Sequence, residues 1–365
     1  MSGEKRILQL LLDAVAGGVF PGAVLLVARQ KKTLFCEAVG NGAVLPAPRL
    51  MTSQTRFDLA SLTKPLATAL SVLCLVSQEK LQLDDSLAKL LPSTSVPQDK
   101  KEITLRQLLC HCSGLPAWKP YYLSLQTLPL KDRTASLRQM IVQEPLDSSP
   151  GTTTTYSDLG FLVIEWILEQ ISGQNLHHFT RENLFGPLGC ATPAFLPLDR
   201  RSVQNPCEFA DTEYCTWRAT TLSGQVHDEN AYVLGGVAGH AGLFGTALEV
   251  KCVLDAILDT LSTEDTATPW SRERLSEFLR PARLDPASTW ALGFDTPASS
   301  DSSAGHHFSA ETVGHLGFTG TSFWLDLQRE IAVILLTNRI HPSRDNEKIK
   351  DFRPLIHDAV MEEFA

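Results

Sequence analysis

The chain has 365 residues, of which 43% are hydrophobic and 20% charged, and its formal net charge at pH 7 is −9. This length and composition provide ample material for a core, and they predict one large soluble domain spanning residues 1–365. The acidic charge, without any basic stripe, argues against nucleic acid or an anionic membrane surface as the natural partner.

The N-terminal residues 1–13 form an apolar run that Gln9 interrupts and Asp13 closes, which predicts an amphipathic helix rather than a signal peptide. No segment reads as long enough to span a bilayer. Eight cysteines occur without a Cys-x-x-Cys pair. Cys74 and Cys252 lie in apolar stretches, where a thiol acts as a small buried hydrophobe. These features predict a reducing compartment and therefore a cytoplasmic protein.

Two strand-like runs follow at residues 22–28 and 33–39, and a second pair occurs near the other end at 321–326 and 331–337. Each pair is joined by a short polar segment, which is typical of a β-hairpin. The patterns between the two pairs are mostly helical. The two ends of the chain are therefore expected to share one antiparallel sheet.

This arrangement predicts an α/β fold of the α+β kind, in which helices flank the shared sheet. We expect an α/β subdomain from residues 1–60 and 290–365, and a mainly helical subdomain from residues 61–289. Residues 351–365 read as a last helix that covers the sheet.

Ser61 and Lys64 are the candidates for a nucleophile and its base. Side chains three residues apart share one helical face, with β-carbons roughly 5–6 Å apart. Pro65 places the start of a regular helix near Ser61 and leaves the amide of that residue without a helical partner. A serine needs an adjacent base, and Lys64 fills that role only after losing its proton, which burial and nearby positive charge both favour.

The Ser-x-x-Lys pattern alone proves little, because it also begins at Ser2, Ser77 and Ser86. Ser86 follows two aspartates at the entry of a short amphipathic segment, where a hydroxyl more plausibly caps a helix. Context therefore has to decide the role of Ser61.

The segment Cys110-His111-Cys112 presents metal-binding residue types in a row. Adjacent ligands are poorly spaced for a tetrahedral zinc site, and no second ligand pair is evident. Neither a metal nor a cofactor is predicted.

The context comes from Ser-Leu-Thr-Lys at 61–64, Tyr-Ser-Asp at 156–158 and His-Leu-Gly at 315–317, in that order along the chain. Together with residues 104–116, these motifs resemble the penicillin-recognising serine hydrolases. The resemblance is strongest to the class C β-lactamases and their relatives, the D-alanyl-D-alanine carboxypeptidases and the β-lactamase-like esterases. It extends over nearly the whole chain.

The resemblance implies a nucleophile at Ser61, a base at Lys64 and a proton relay at Tyr156. A phenol such as that of Tyr156 also fits an ordinary hydrogen-bonded core. The backbone amides of Ser61 and Phe318 would form the oxyanion hole, and Gly317 would line the substrate site beside it.

Two positions depart from the family pattern. Asp158 stands where the family has asparagine, and an ionised aspartate has no N–H to donate to a substrate carbonyl. It would instead hold Lys64 as a cation or accept from a substrate N–H. His315 replaces the usual lysine and is a weaker anchor for a substrate carboxylate at neutral pH. Activity on such a substrate should then fall as the pH rises through the titration of His315. Both changes argue against an efficient β-lactamase.

Residues 224–245 are rich in glycine and carry Asp228 and His240, which are candidates for lining the substrate cleft. The alternatives are a loop with satisfied side chains and, with less support, a metal site of His227, Asp228 and His240. Relatives with a similar segment look like cytosolic hydrolases linked to cell-wall fragment recycling, which suggests muropeptide amides as substrates.

The leading functional prediction is a serine hydrolase that forms an acyl-enzyme with a small-molecule or peptide-like amide or ester. A non-hydrolytic relative that binds ligands or assembles is the alternative. An α/β-hydrolase has little support, because no Gly-x-Ser-x-Gly elbow occurs in the chain.

Overall fold

The computed structural model of the protein describes residues 3–92, 94–189, 191–198, 208–263 and 267–365. Its largest sheet has six strands, in the order Arg49–Leu50, Lys32–Ala43, Gly22–Arg29, Ile331–Thr337, Ser322–Asp326 and Thr312–Leu316. The strand pairs of this sheet are antiparallel. Strands from both ends of the chain therefore form one antiparallel sheet, as the sequence predicted.

The strands of the described residues have the following bounds: β1 Gly22–Arg29, β2 Lys32–Ala43, β3 Arg49–Leu50, β4 Phe57–Asp58, β5 Ala194–Phe195, β6 Tyr214–Cys215, β7 Thr220–Thr221, β8 Leu243–Gly245, β9 Thr312–Leu316, β10 Ser322–Asp326 and β11 Ile331–Thr337. Short strands β4, β8 and β5 form a second sheet beside the site, and β6 pairs with β7.

The α-helices are α1 Gly3–Ala16, α2 Leu70–Ser77, α3 Leu87–Leu90, α4 Leu105–Leu109, α5 Tyr122–Leu125, α6 Leu130–Gln143, α7 Asp158–Ser172, α8 Leu176–Phe179, α9 Gly186–Leu188, α10 Glu229–Val233, α11 Ala247–Ser262, α12 Arg272–Phe278 and α13 Ile349–Phe364. A 3₁₀ turn at Ala60–Leu62 and π-helical segments at Lys64–Ala69 and Thr180–Phe185 complete the helical structure of the described residues. Most of these helices lie between the two hairpins in sequence.

Successive side chains of a strand point to opposite faces of the sheet. In the central strand β1 both sets of side chains are buried, because a core covers each face. Val24 and Leu26 face the large core formed with the central helices. Leu25 and Val27 face a smaller core that includes residues of α1 and α13. A strand covered on both faces reads as a continuous apolar run, which explains the unbroken hydrophobic pattern of residues 23–28.

Two sequence-based statements need correction. By length and composition, the helix Ala60–Ser77 does match a membrane span, but 89% of it is buried inside the protein, as is typical of a core helix.

Cys74 is a buried free thiol as expected. Cys252 is disulfide-bonded, so the interpretation of this residue as a free apolar thiol was wrong. The cytoplasmic location stays a prediction.

Candidate active site

Ser61 lies in a sharp turn between β4 and the buried helix that leads into α2. The residue before it, Ala60, adopts a left-handed backbone with φ of +48°, which costs energy for any residue with a side chain. The amide of Ala60 donates to Asp58 Oδ1 at 2.9 Å, which helps to fix this turn. The helix predicted to begin near Ser61 is thus built from a 3₁₀ turn and a π-helical segment before it becomes regular.

Lys64 lies beneath Ser61 and has no exposed surface. Its Nζ is 3.2 Å from Ser61 Oγ and 2.6 Å from Asp158 Oδ1. It also donates to the carbonyl oxygen of His240 at 3.2 Å. The expected contact between Asp158 and Lys64 is therefore present.

The charge of Lys64 follows from this contact. Burial alone would lower its pKa, but the Asp158 carboxylate and the Tyr156 phenol outweigh burial and raise the pKa of Lys64 above its ordinary value. Lys64 is therefore an ammonium ion in the free protein.

Tyr156 lies against Lys64, with the Nζ of the lysine 4.7 Å from the ring centroid. Its phenol interacts with both Lys64 and Ser61, while burial raises its pKa and keeps the hydroxyl protonated. The rings of His111 and Trp290 pack on Tyr156 at centroid distances of 4.6 and 5.4 Å. These neighbours fix the position of the phenol.

His111 has a structural place in this cluster. Its Nδ1 accepts from the amide of Ser157 at 3.0 Å, next to the start of α7. Burial lowers the pKa of His111 well below its usual range, so the ring is neutral. Its contacts are aromatic and backbone groups.

His315 was expected to contact a substrate carboxylate and to change its charge near neutral pH, but its surroundings favour a neutral ring. The side chain is 2% exposed, and Nδ1 donates to the carbonyl oxygen of Leu316 at 2.8 Å. Burial, with help from nearby Lys64, lowers the pKa of His315 to about 3. The ring is then already neutral near pH 7, which argues against a fall in activity from its titration there, and the pH dependence of activity stays a prediction. Its Nε2 is a buried acceptor without a partner among the described residues.

This depressed pKa predicts a loss of stability in acid. Below pH 6.5 the unfolded chain protonates this histidine and the folded protein does not, so the free energy of unfolding decreases as the pH falls. The expected slope from this group is about 1.4 kcal/mol per pH unit at most. Urea unfolding at several pH values from 7 to 4 should give a shallower pH dependence for His315→Gln than for the wild type. A difference between the two proteins that does not change with pH would contradict this.

Gly317 brings β9 close to the Ser61 turn. A Cβ atom at this position would lie 2.0 Å from Thr321 Oγ1 and 2.8 Å from the Leu59 carbonyl oxygen, so a side chain is excluded. The next residue, Phe318, stacks its half-exposed ring on His227 with centroids 5.5 Å apart. Its amide donates no hydrogen bond to another residue within the described ranges.

Asp228 and His240 form a pair close to Asp158, with Asp228 Oδ1 2.9 Å from His240 Nε2. Burial opposes both charges, but their mutual attraction lowers the pKa of Asp228 and raises that of His240. The Asp228 carboxylate also caps α10 by accepting from the amide of Ala231 at 2.7 Å. Asp228 and His240 therefore form a largely buried ion pair in which Asp228 also caps a helix, and they are not solvent-exposed polar groups of a loop.

The residues that could hold a metal differ from the predicted set of His227, Asp228 and His240. Single ligand atoms of Asp158, Asp228 and His240 lie within 4.8 Å of one another. His227 is directed elsewhere, since its Nε2 is 3.3 Å from Glu213 Oε1. The Lys64 ammonium already supplies a positive charge beside Asp158, so we assign no metal here, and its absence stays a prediction.

The predicted site residues meet in one cleft of about 620 Å³. Those that line it are Ser61, Tyr156, Asp158, Asp228, His240, His315, Gly317 and Phe318. Sequence reasoning missed several other lining residues, among them Asp58, Trp118, Trp290, Asp295, Arg339 and Arg353. Asp58 follows the first hairpin as a lone acidic residue before the nucleophile, which was the only signal available for it.

This fold and the residues of the cleft are those of a hydrolase related to the β-lactamases, and the comparison with known families agrees. A family model described as Beta-lactamase matches residues 8–357. The chain belongs to the β-lactamase family and is a hydrolase of that family.

Two curated relatives cover most of the chain. The N-acetylmuramyl-L-alanine amidase of Bacillus subtilis (strain 168) is 32% identical over 366 residues, which cover 92% of this chain and 81% of the relative. A putative D-alanyl-D-alanine carboxypeptidase of Escherichia coli (strain K12) is 31% identical over 358 residues, covering 90% and 81%.

Solved structures share the fold at lower identity. The hydrolase EstCE1, described as having promiscuous acyltransferase activity, has a TM-score of 0.72 at 22% identity and covers 96% of this chain and 98% of its own. The octameric penicillin-binding protein homologue from Pyrococcus abyssi has a TM-score of 0.71 at 18% identity, with coverage of 96% and 77%. At these identities the similarity supports the fold alone.

Proposed function

We propose that this protein is a serine hydrolase that forms an acyl-enzyme on Ser61 with a peptide-like amide substrate. The observation that carries the proposal is the position of the Lys64 ammonium, 3.2 Å from Ser61 Oγ and 2.6 Å from Asp158 Oδ1, at the base of a cleft. A nucleophile, a proton carrier and a proton acceptor are in contact there.

The proton path follows from the charges. Lys64 carries its proton in the free protein, so it cannot accept a second one. Lys64 first passes one proton to Asp158, and its Nζ then takes the Ser61 proton as Ser61 Oγ attacks the substrate carbonyl. The Tyr156 phenol then donates its proton to the leaving nitrogen or oxygen and regains one through Lys64. Water attacks the acyl-enzyme by the same route in reverse, which releases the acid and restores Ser61.

The oxyanion of the tetrahedral intermediate would be bound by the amides of Ser61 and Phe318. Neither amide donates a hydrogen bond to another residue of the described chain, so both are available to a substrate oxygen. Each such donor typically lowers the barrier by about 3–4 kcal/mol.

The polar groups of the cleft favour a substrate rich in N–H donors. Asp158 and Asp228 are carboxylates, and the unpartnered Nε2 of His315 is a neutral acceptor. Exposed aromatic side chains of Trp118 and Phe318 lie at the rim and offer flat apolar contact. Together with the names of the curated relatives, this chemistry supports an amide of a cell-wall fragment as the substrate, with simple esters as weaker alternatives.

The test is intact-mass spectrometry after incubation with β-lactams, p-nitrophenyl esters and muropeptides. We expect an adduct of the acyl mass on wild-type protein, located to Ser61 by peptide mapping, and faster turnover of the muropeptide than of a penicillin. A protein that binds these compounds but forms no adduct and releases no product would instead be a non-hydrolytic relative.

A further inference from the structure

Arg353 on α13 is a buried cation without a carboxylate partner. Its side chain is 6% exposed, and no Asp or Glu of the described residues forms an ion pair with it. Burying a charge without a counterion is costly, so this guanidinium needs another explanation.

The hydrogen bonds of Arg353 supply that explanation. Its terminal nitrogen donates to the carbonyl oxygens of Gly317 at 3.2 Å and Thr321 at 2.8 Å. The Gly317 carbonyl and the Phe318 amide belong to one peptide group. This peptide is trans, since the cis bonds of the described chain lie elsewhere. In a trans peptide the C=O and N–H bonds point in opposite directions, so holding the oxygen also aims the amide.

The following peptide is held in a similar way. Arg339 donates to the Phe318 carbonyl oxygen through Nε at 2.9 Å and a terminal nitrogen at 2.7 Å. Guanidinium groups therefore hold the peptides on both sides of Phe318. Rotation of either peptide would break these charge-assisted hydrogen bonds.

The Ser61 amide is set by a corresponding contact. The carbonyl oxygen of Ala60, in the same peptide as the Ser61 amide, accepts from Thr63 Oγ1 at 2.7 Å. Both candidate oxyanion donors thus belong to peptides whose oxygens are held from behind. The Ala60 oxygen accepts from a neutral hydroxyl and from the Thr63 amide, whereas the Gly317 oxygen accepts from a cation and from the Gly320 amide at 3.1 Å.

We propose that Arg353 is a positioning residue that orients and polarises the Gly317–Phe318 peptide, so that the Phe318 amide stabilises the oxyanion of the tetrahedral intermediate. The inference rests on the proposed function. A positive charge on the carbonyl oxygen withdraws electron density from the peptide and makes its N–H a stronger donor. Because the donor is aimed before the substrate arrives, no reorganisation is required during the reaction.

The test compares Arg353→Met with Arg133→Met. Arg133 is a matched control, since its guanidinium also donates to backbone carbonyls, those of Leu128, Val233 and Gln126, away from the cleft. With a p-nitrophenyl ester, Arg353→Met should lower the acylation rate about 10²- to 10³-fold with little change in KM. Affinity for a boronic acid that mimics the tetrahedral intermediate should fall by a similar factor. Arg133→Met should change neither quantity.

Arg353→Gln keeps a neutral hydrogen-bond donor, and it replaces Arg353→Met in this test if the methionine variant does not fold. It should acylate at a rate between those of Arg353→Met and the wild type. Unchanged acylation in a folded Arg353 variant, with only a lower melting temperature, would make the residue structural and overturn the proposal. An increase in KM confined to carboxylate-bearing substrates would make it an anion-binding residue and would also overturn it.

A different result would contradict the proposed function than would contradict the role of Arg353. If wild-type protein is not labelled on Ser61 by a fluorophosphonate, the acyl-enzyme itself is wrong. If wild type and Arg353→Met are labelled at equal rates, only the role of Arg353 is wrong.

Discussion

Ser61→Ala should abolish turnover and covalent labelling while leaving the fold intact. The side chain is at the surface of the cleft and lacks a packing role, so removing its oxygen creates no cavity in the core. We expect a loss of at least about 10³-fold in kcat, and a similar loss in Lys64→Ala, because the two side chains act as one unit. The double variant should lose little more than either single variant. Steady-state kinetics with the best muropeptide or ester measure this.

Ser86→Ala is the control for this prediction. Ser86 shares the Ser-x-x-Lys spacing but lies at the N-cap position of α3, where its hydroxyl makes no capping hydrogen bond. Its substitution should leave activity unchanged. Equal losses from Ser61→Ala and Ser86→Ala, or an acyl adduct that persists in Ser61→Ala, would show that the nucleophile lies elsewhere. Lys64→Ala removes a buried cation, so its folding has to be checked by circular dichroism.

Asp158→Asn should change both the pH dependence and the substrate preference. The substitution removes the carboxylate 2.6 Å from Lys64 Nζ. Only the Tyr156 phenol then opposes the effect of burial, so the pKa of the lysine falls. Neutral Lys64 becomes the direct base, so activity should rise with pH through the new, lower titration of Lys64. The new amide also offers an N–H to an acylamino carbonyl. The acylation rate with a penicillin should therefore increase relative to that with a simple ester.

Acylation rates for one penicillin and one p-nitrophenyl ester, measured across the pH range, test both parts. An equal change with both compounds would show that Asp158 does not set substrate choice. A pH profile that matches that of the wild type would show that Asp158 does not control the charge of Lys64. The matched control is Asp295→Asn, since Asp295 also lines the cleft but pairs with Thr289.

Local sequence patterns were sufficient to predict the contacts of residues whose partners lie close in the chain. The spacing of Ser61 and Lys64 placed both on one helical turn, and the two hairpins were visible from apolar runs joined by polar residues. Their antiparallel pairing in one sheet was also predicted, because the remaining pattern between them was helical. The contact of Asp158 with Lys64 was predicted from the resemblance of Tyr-Ser-Asp at 156–158 to the family motif.

Sequence could not supply contacts that depend on packing between distant segments. The neutral state of His315 results from burial beside Lys64, which no local pattern reveals. His111 was noticed as a possible metal ligand, yet its place is under the Tyr156 ring. Arg353 lies in a helix that reads as a cover for the sheet, and its contact with Gly317 depends on how that helix is docked.

The sheet order described above also governs when the protein can fold during synthesis. Central strand β1 pairs with β11, and the residues joined by this pairing are about 300 positions apart. At typical translation rates the ribosome needs roughly 15–60 s to make the intervening chain. Throughout that interval, the apolar edge of β1 has no native neighbour on one side and can associate with other chains. We therefore expect the nascent protein to need chaperone protection of residues 22–29 until β11 emerges.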